Sequence, residues 1–221
     1  MIDLHMHTFF SDGALGPAEL IRRAENAGYS VMAITDHADA SNLEPVLERQ
    51  LAFQAETAAY LRVRLLIGLE LTHVPPQQVG RLTERARALG AQLVMLHGET
   101  VSEPVAPGTN RAGIEAGVDI LAHPGLISEE DAALAAERGV RLEITSRPSH
   151  ALTNGHVCAL ARSCGAKTVL NSDSHAPGDL LTPRRREQVA LGAGYGPDEW
   201  KHLDESAAAL VKGITASRSF A

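Results

Sequence analysis

Residues 1–13 read MIDLHMHTFFSDG, a short strand running into a turn. Successive side chains of a strand take opposite faces, so Asp3, His5 and His7 are expected on one face and Ile2, Leu4 and Met6 on the other. Two imidazoles two residues apart on one face can reach the same metal ion. The turn Ser11-Asp12-Gly13 then sets a carboxylate just past the strand's C-terminal end. A His-x-His pair alone is a weak signal. Its weight comes from what the rest of the chain repeats.

Working outward, Pro17 opens a helix whose apolar positions are Leu20, Ile21 and Ala24, and Gly28 suits its stop. The apolar run Val31 to Thr35 ends in Asp36-His37. The run Leu65 to Leu69 ends in Glu70, with Thr72 and His73 beyond. Gln92 to Leu96 leads to His97, Val118 to Ala122 leads to His123, and Lys167 to Asn171 leads to Asp173 and His175. Val140 to Ile144 carries Glu143 and runs into Arg147 and His150. Helical patterns separate these runs, one opened by the capping signature Ser128-Glu129-Glu130-Asp131 and one that Asn154 is expected to cap. The loop Thr100 to Asn110 breaks the rhythm.

Seven strand-then-helix units imply parallel strands with right-handed crossovers, an α/β class. Runs of Val, Ile and Leu favour a closed or nearly closed barrel over an open sheet. Such barrels carry their chemistry at the C-terminal ends of the strands. The expected organisation is a single domain over residues 1–221, with the barrel in about 1–182 and two closing helices in about 183–213. Residues after Ile214 read as a frayed tail.

Composition narrows the function. With 44% hydrophobic and 21% charged residues, the 221-residue chain has the make-up of a soluble globular protein. No run approaches the roughly 20 apolar residues of a membrane span. A strand starting at residue 2 leaves no room for a signal or transit peptide, so a cytoplasmic location is expected. Cys158 and Cys164 match neither a zinc knuckle nor a disulfide framework and are expected to pack on a helix. The net charge of −7 offers no broad basic surface for nucleic acid; Arg184-Arg185-Arg186 reads as a solvated helix start. Histidine is the outlier, with 10 residues, most of them at the ends of apolar runs.

Nine strand-end residues can ligate metal: His5, His7, Asp12, His37, Glu70, His97, His123, Asp173 and His175. Imidazole and carboxylate donors without thiolate suit Zn, Mn or Fe. Nine donors exceed what one ion uses, so two or three divalent ions are expected. Clustered ions of this kind activate water and clamp the oxygens of a phosphoryl group.

His5-Met6-His7 with Ser11-Asp12-Gly13, Thr35-Asp36-His37, Gly68-Leu69-Glu70, His97-Gly98, His123-Pro124 and Asp173-Ser174-His175 together resemble the PHP (polymerase and histidinol phosphatase) family, over residues 3 to 179. The resemblance implies a distorted seven-stranded (β/α)7 barrel and a trinuclear site. His5, His7, Glu70 and Asp173 would hold the first ion, and Glu70 would bridge to a second held with His97 and His123. Asp12, His37 and His175 would hold the third. Some relatives carry His where this chain has Asp12.

Asp3, Asp36 and Glu143 are candidate acceptors for orienting the imidazoles; plain strand-end polarity is the alternative. Beyond the ligands, Arg147 is expected to pair with substrate phosphate, with a solvated loop residue as the other reading. His73, His150 and His156 are candidates for protonating the leaving oxygen or contacting substrate, His73 foremost. Glu70, Asp173, Arg147 and His73 make up the expected catalytic set, and His202 is expected at the surface. The expected activity is hydrolysis of a small phosphomonoester by metal-activated hydroxide, as in histidinol-phosphate phosphatases. A PHP-type exonuclease or nucleotide phosphoesterase is the alternative within enzymes. A non-catalytic metal-dependent binding or regulatory module is the alternative outside them.

Overall fold

The computed structural model describes residues 1–218, and in it the apolar runs become parallel strands. They are β1 (Ile2–Asp3), β2 (Val31–Ile34), β3 (His37–Ala38), β4 (Arg64–Leu71), β5 (Leu93–His97), β6 (Ile120–Ala122), β7 (Arg141–Thr145) and β8 (Thr168–Asn171). The sheet order is β1-β2-β4-β5-β6-β7-β8, with β3 resuming the second run beside β4. Counting β2 and β3 as one interrupted strand, seven parallel strands form a nearly closed barrel, as the alternation predicts. The seam between first and last strands is drawn together by Leu4 N–H on Asn171 Oδ1 (2.9 Å) and His7 N–H on Ser174 O (2.9 Å).

Between the strands run α1 (Pro17–Asn26), α2 (Leu43–Thr57), α3 (Pro76–Ala88), α4 (Thr109–Ala116), α5 (Glu129–Arg138) and α6 (Asn154–Cys164), followed by α7 (Pro183–Gly192) and α8 (Lys201–Arg218). Ser128 caps α5 as its sequence predicts, accepting the Asp131 N–H at 3.1 Å. Asn154 does not cap α6. Its amide instead bonds both the N–H and the C=O of Thr145, tying the helix start to the end of β7. Cys158 is buried in the helix layer and Cys164 lies at its edge.

Two apolar clusters divide the core. One lies between strands and helices and holds Met6, Ile34, Ile67, Leu69, Leu96, Leu121, Ile144 and Leu170. The other gathers Leu4, Ala33, Leu66, Leu93, Met95, Ile120, Ala122 and Val169 with Ala207, Leu210, Val211 and Ile214 of α8. Strand alternation makes this second cluster the barrel's lower interior, and α8 supplies its plug. Helix α8 continues to Arg218, so the chain just past Ile214 is helix and not a frayed tail; residues 219–221 of that expectation lie outside the described residues.

Leu4 and Met6 sit in different clusters although they share parity, so the expected alternation from Ile2 to Met6 fails. The ladder of β1 ends at Asp3, and the phase shifts just beyond it, after Leu4. Asp3 thereby joins the outer layer near Arg186 and Tyr29, and its carboxylate accepts the N–H groups of His5 and Ser172 instead of an imidazole. Arg186 also departs from expectation. Arg184 and Arg185 are exposed, but Arg186 is buried, with its guanidinium on Leu170 O and Asp204. No described helix is long and apolar enough to cross a membrane.

Candidate metal centre

Above the apolar layer, toward the C-terminal ends of the strands, the barrel interior turns polar. The register sets His37 beside Glu70 and places His97 at the end of β5 next to Ala122. His123 and Asp173 follow their strands at φ 27° and 53°, a left-handed backbone that non-glycine residues adopt at a cost of about 1–3 kcal/mol. At His123 this break in alternation follows directly on inward Ala122. Strain of this kind is held by the surrounding packing, and here it sits at two strand ends that meet in one cluster.

Glu70 is completely buried at the centre. Its Oε2 lies 3.3 Å from His5 Nε2, 3.6 Å from His7 Nε2 and 2.8 Å from His37 Nδ1, while Oε1 lies 3.4 Å from His123 Nε2. The two oxygens of one carboxylate therefore face different imidazoles. Asp173 Oδ1 lies 3.4 Å from His7 Nε2 and 3.6 Å from His5 Nε2. Asp12 Oδ1 lies 3.1 Å from His175 Nε2 and 3.5 Å from His37 Nε2. The SDG turn folds back closely enough that a Cβ on Gly13 would sit 2.4 Å from His7 O, so only glycine lets Asp12 approach.

Most of these separations are long for hydrogen bonds, yet two donors about 2.0–2.1 Å from a tetrahedral ion stand about 3.3 Å apart. His5 Nε2, both ring nitrogens of His7, His123 Nδ1 and both Glu70 oxygens are buried without a hydrogen bond. Orphaned buried donors are costly. Groups such as His5–His7–Glu70 and His7–Asp12–His37–His175 could each hold a metal ion, so the donor set fits.

Burial penalises the Glu70 carboxylate, but His5, His37 and His123 outweigh that and hold its pKa well below the usual range. Burial likewise opposes Asp173, and His5, His7 and His123 again win. Burial pushes the imidazoles of His7 and His97 down to about 3 and about 4. Burial opposes protonation of His5, His37 and His123 as well, but Glu70 and the neighbouring carboxylates outweigh it and raise all three imidazoles, positive charge that a bound cation would supply in place of those protons.

The supporting residues divide. Glu143 Oε1 accepts from Asn171 Nδ2 and pairs with His5 Nδ1, both at 2.8 Å, while Oε2 takes the His123 N–H at 3.1 Å. It does orient an imidazole. Asp36 touches none of the rings. It gathers Thr8 N–H, Thr8 Oγ1, Ser11 Oγ and Gln50 Nε2 at 2.6–2.7 Å, fixing the loop that carries Asp12.

The PHP domain family model matches residues 3–153. The chain belongs to the PHP domain family. An uncharacterized protein of Methanocaldococcus jannaschii, MJ1295, is 47% identical over 194 residues, 87% of this chain and 89% of that protein. Ribonuclease P protein component 3 of Methanosarcina mazei is 30% identical over 224 residues, covering 94% and 86% of the two. Among solved structures, a chain of an archaeal ribonuclease P with mature tRNA superposes at TM-score 0.73, 17% identity, covering 97% of this chain and 91% of that one. The histidinol phosphate phosphatase of Lactococcus lactis, solved with zinc, L-histidinol and phosphate, superposes at 0.61, 17% identity, covering 88% and 94%.

In this PHP domain the residues outside the motifs separate clearly. Arg147 is partly buried against Asp173, with Nη1 on Asp173 O at 3.3 Å, and lines a pocket of about 140 Å³ with Ser146, Asp179 and Arg185. His73 stands half-exposed at the mouth, its ring 5.2 Å from that of His97. His150 is buried and stacks on His123 with centroids 4.2 Å apart, closer to the cluster than its loop position suggests. His156 donates to or receives from nothing in the cluster; its Nε2 bonds Ile127 O at 2.7 Å, a tie between loop and helix. His202 is exposed beside Glu205. Glu103 was not legible from the sequence. It projects from the Thr100 to Asn110 loop to within 3.2–3.5 Å of His73, His97 and His150. The available signal was a lone acidic residue in the loop that breaks the strand-helix rhythm.

Proposed function

We propose that this chain is a metal-dependent phosphoesterase that hydrolyses a small phosphomonoester. The observation that carries the reading is Glu70, fully buried, with one oxygen toward His5, His7 and His37 and the other toward His123. In this reading His5, His7, Glu70 and Asp173 hold one divalent ion. Glu70, His97 and His123 hold a second, and Asp12, His37 and His175 a third. Bound Zn, Mn or Fe ions would supply a water of lowered pKa and positive charge for phosphoryl oxygens.

The chain's own side chains do the rest. Glu70 and Asp173, held ionised, keep the donor set charged for cations. Arg147, with its fork beside Asp173, binds and orients the phosphate. His73 at the open mouth is placed to hand a proton to the leaving oxygen. Family membership and the fold shared with a histidinol phosphate phosphatase support a phosphate ester as substrate. A net charge of −7 favours a small ester over a polynucleotide, whose binding draws on successive Lys and Arg contacts.

The ribonuclease P component relative favours a second reading, a non-catalytic role beside RNA or protein. The two separate in one experiment. Metal-loaded protein is assayed on histidinol phosphate, other small monoesters and single-stranded oligonucleotides over a salt series, with a chelated control. Chelator-sensitive monoester turnover exceeding oligonucleotide cleavage is expected. Salt-sensitive cleavage of oligonucleotides with negligible monoester turnover would move the reading to a nuclease, and RNA binding without turnover would move it to the second role.

A further inference from the structure

We infer that Glu103 is a displaceable ligand at the position framed by His97 and His123, closing from the Thr100 to Asn110 loop the coordination site that a phosphate must enter. The inference rests on the metal assignment proposed above but not on the reaction.

His97 supplies the first argument. Its Nδ1 lies 3.2 Å from Gly98 O, which accepts only from an N–H, so the proton sits on Nδ1 and Nε2 presents a lone pair. That lone pair faces Glu103 Oε2 at 3.3 Å. Two lone pairs directed at each other repel, and a shared cation reverses the sign. Their separation matches the about 3.3 Å between two ligands of a tetrahedral ion. Glu103 Oε1 meanwhile lies 3.5 Å from His150 Nε2, and Oε2 is hydrogen-bonded to His73 Nε2 at 3.2 Å. The carboxylate is thus aimed into the imidazole cluster.

The loop gives the second argument. Both of its ends are pinned. Thr100 Oγ1 pairs with His150 Nδ1 at 2.7 Å, and Glu99 Oε1 accepts the N–H groups of Gly108 and Asn110 at 3.0 and 2.8 Å. Glu103 lies between these anchors with its side chain 38% exposed, whereas Glu70 and His97 are 0% and 2% exposed. A half-solvated carboxylate can swing to water at little desolvation cost. A buried one cannot. Catalytic metal positions keep one coordination place open for substrate, and here a half-exposed loop carboxylate beside His97 fills that place. Phosphate then competes with Glu103, and its apparent Kd is its intrinsic Kd divided by the fraction of time the place stands free of the carboxylate.

The test uses full-length protein, Mn²⁺ and inorganic phosphate, with no turnover needed. Mn²⁺ binding is titrated calorimetrically, with bound metal counted by elemental analysis. Phosphate Kd is then measured at saturating Mn²⁺ for wild type, Glu103→Gln, Glu103→Ala and Glu103→Asp. One class of Mn²⁺ sites should weaken at least tenfold in Glu103→Gln and Glu103→Ala. Phosphate should bind those two variants about tenfold more tightly, as a position held nine-tenths of the time implies. Glu103→Asp keeps the charge but is too short to reach, so it should behave like Glu103→Ala. Wild-type phosphate affinity in Glu103→Asp would show simple charge repulsion and overturn the inference, as would unchanged Mn²⁺ and phosphate binding in all three variants. Wild-type protein that takes up no Mn²⁺ would overturn the metal assignment itself, a separate failure.

Discussion

At the scale of single residues, the cluster depends on carboxylates whose two oxygens do different things. Glu143 shows it most simply. One oxygen serves His5 Nδ1 and Asn171 Nδ2, the other the His123 N–H. Glu143→Gln replaces one oxygen by an NH₂ that cannot accept. Whichever way the amide turns, either the His5 side or the His123 side loses its partner. The His5 contact also fixes which ring nitrogen remains free for metal. Loss of such a supporting contact typically costs about 10–100-fold in metal affinity or activity. Titration of metal-stripped Glu143→Gln should show that loss without unfolding by circular dichroism. Wild-type affinity would mean that the packing alone orients His5.

Between elements, the barrel is held differently at its two ends. The upper end is tied by polar groups around the cluster, the lower end by the apolar plug of α8 and by a few strand-end ties. Asp119 is one of these, just before β6. Its Oδ2 accepts the Val94 N–H of β5 at 2.8 Å and lies 3.2 Å from Arg87 Nη2. Burial raises its pKa above the usual carboxylate value, and Arg87 only partly offsets that. A carboxyl whose folded pKa is raised binds more protons folded than unfolded. Its contribution to stability is therefore fully present below the ordinary carboxylate pKa and is lost as pH rises through the elevated one. Asn cannot ionise but still accepts from Val94. The stability of Asp119→Asn relative to wild type should accordingly improve as pH rises from about 4 toward neutral. Urea unfolding across that range reads the difference directly; a constant difference would show that Asp119 titrates normally in the fold.

For the whole molecule, the donor cluster couples metal to the stability of the barrel. Residues of β3, β4 and β5 and of the chain following β1, β6 and β8 converge there, so the strands near the seam have a stake in what the donors bind. Without a cation, buried imidazoles and carboxylates of the cluster lack partners. An ion that binds only the folded state stabilises it by about 2.7 kcal/mol at a hundred times its Kd. Chelator should therefore lower Tm, and added Mn²⁺ or Zn²⁺ should restore it in a concentration-dependent way. Scanning calorimetry with and without chelator checks this. Identical Tm values would mean that the cluster is satisfied without metal.

The chain's order of strands and the residue types at their ends were determined by the sequence alone. Both are local: an apolar run makes a buried parallel strand, and the side chain that follows it must fall at the barrel's C-terminal rim. His5, His7, His37, Glu70, His97, His123, Asp173 and His175 were legible for that reason, as was the cap at Ser128. Only the tertiary structure decided the rest. The phase shift after Leu4 arises because the ladder of β1 stops at Asp3 and the seam to β8 is made by Asn171 and Ser174, some 170 residues away. Arg186 is buried because β8 and α8 together satisfy its guanidinium, which no reading of Arg184-Arg185-Arg186 could reveal. Glu103 reaches the imidazoles because its loop is pinned at both ends, and α8 fills the barrel floor because the lower inward layer needed covering. In each case the free energy comes from contacts between segments distant in sequence, and those contacts exist only once the barrel has closed.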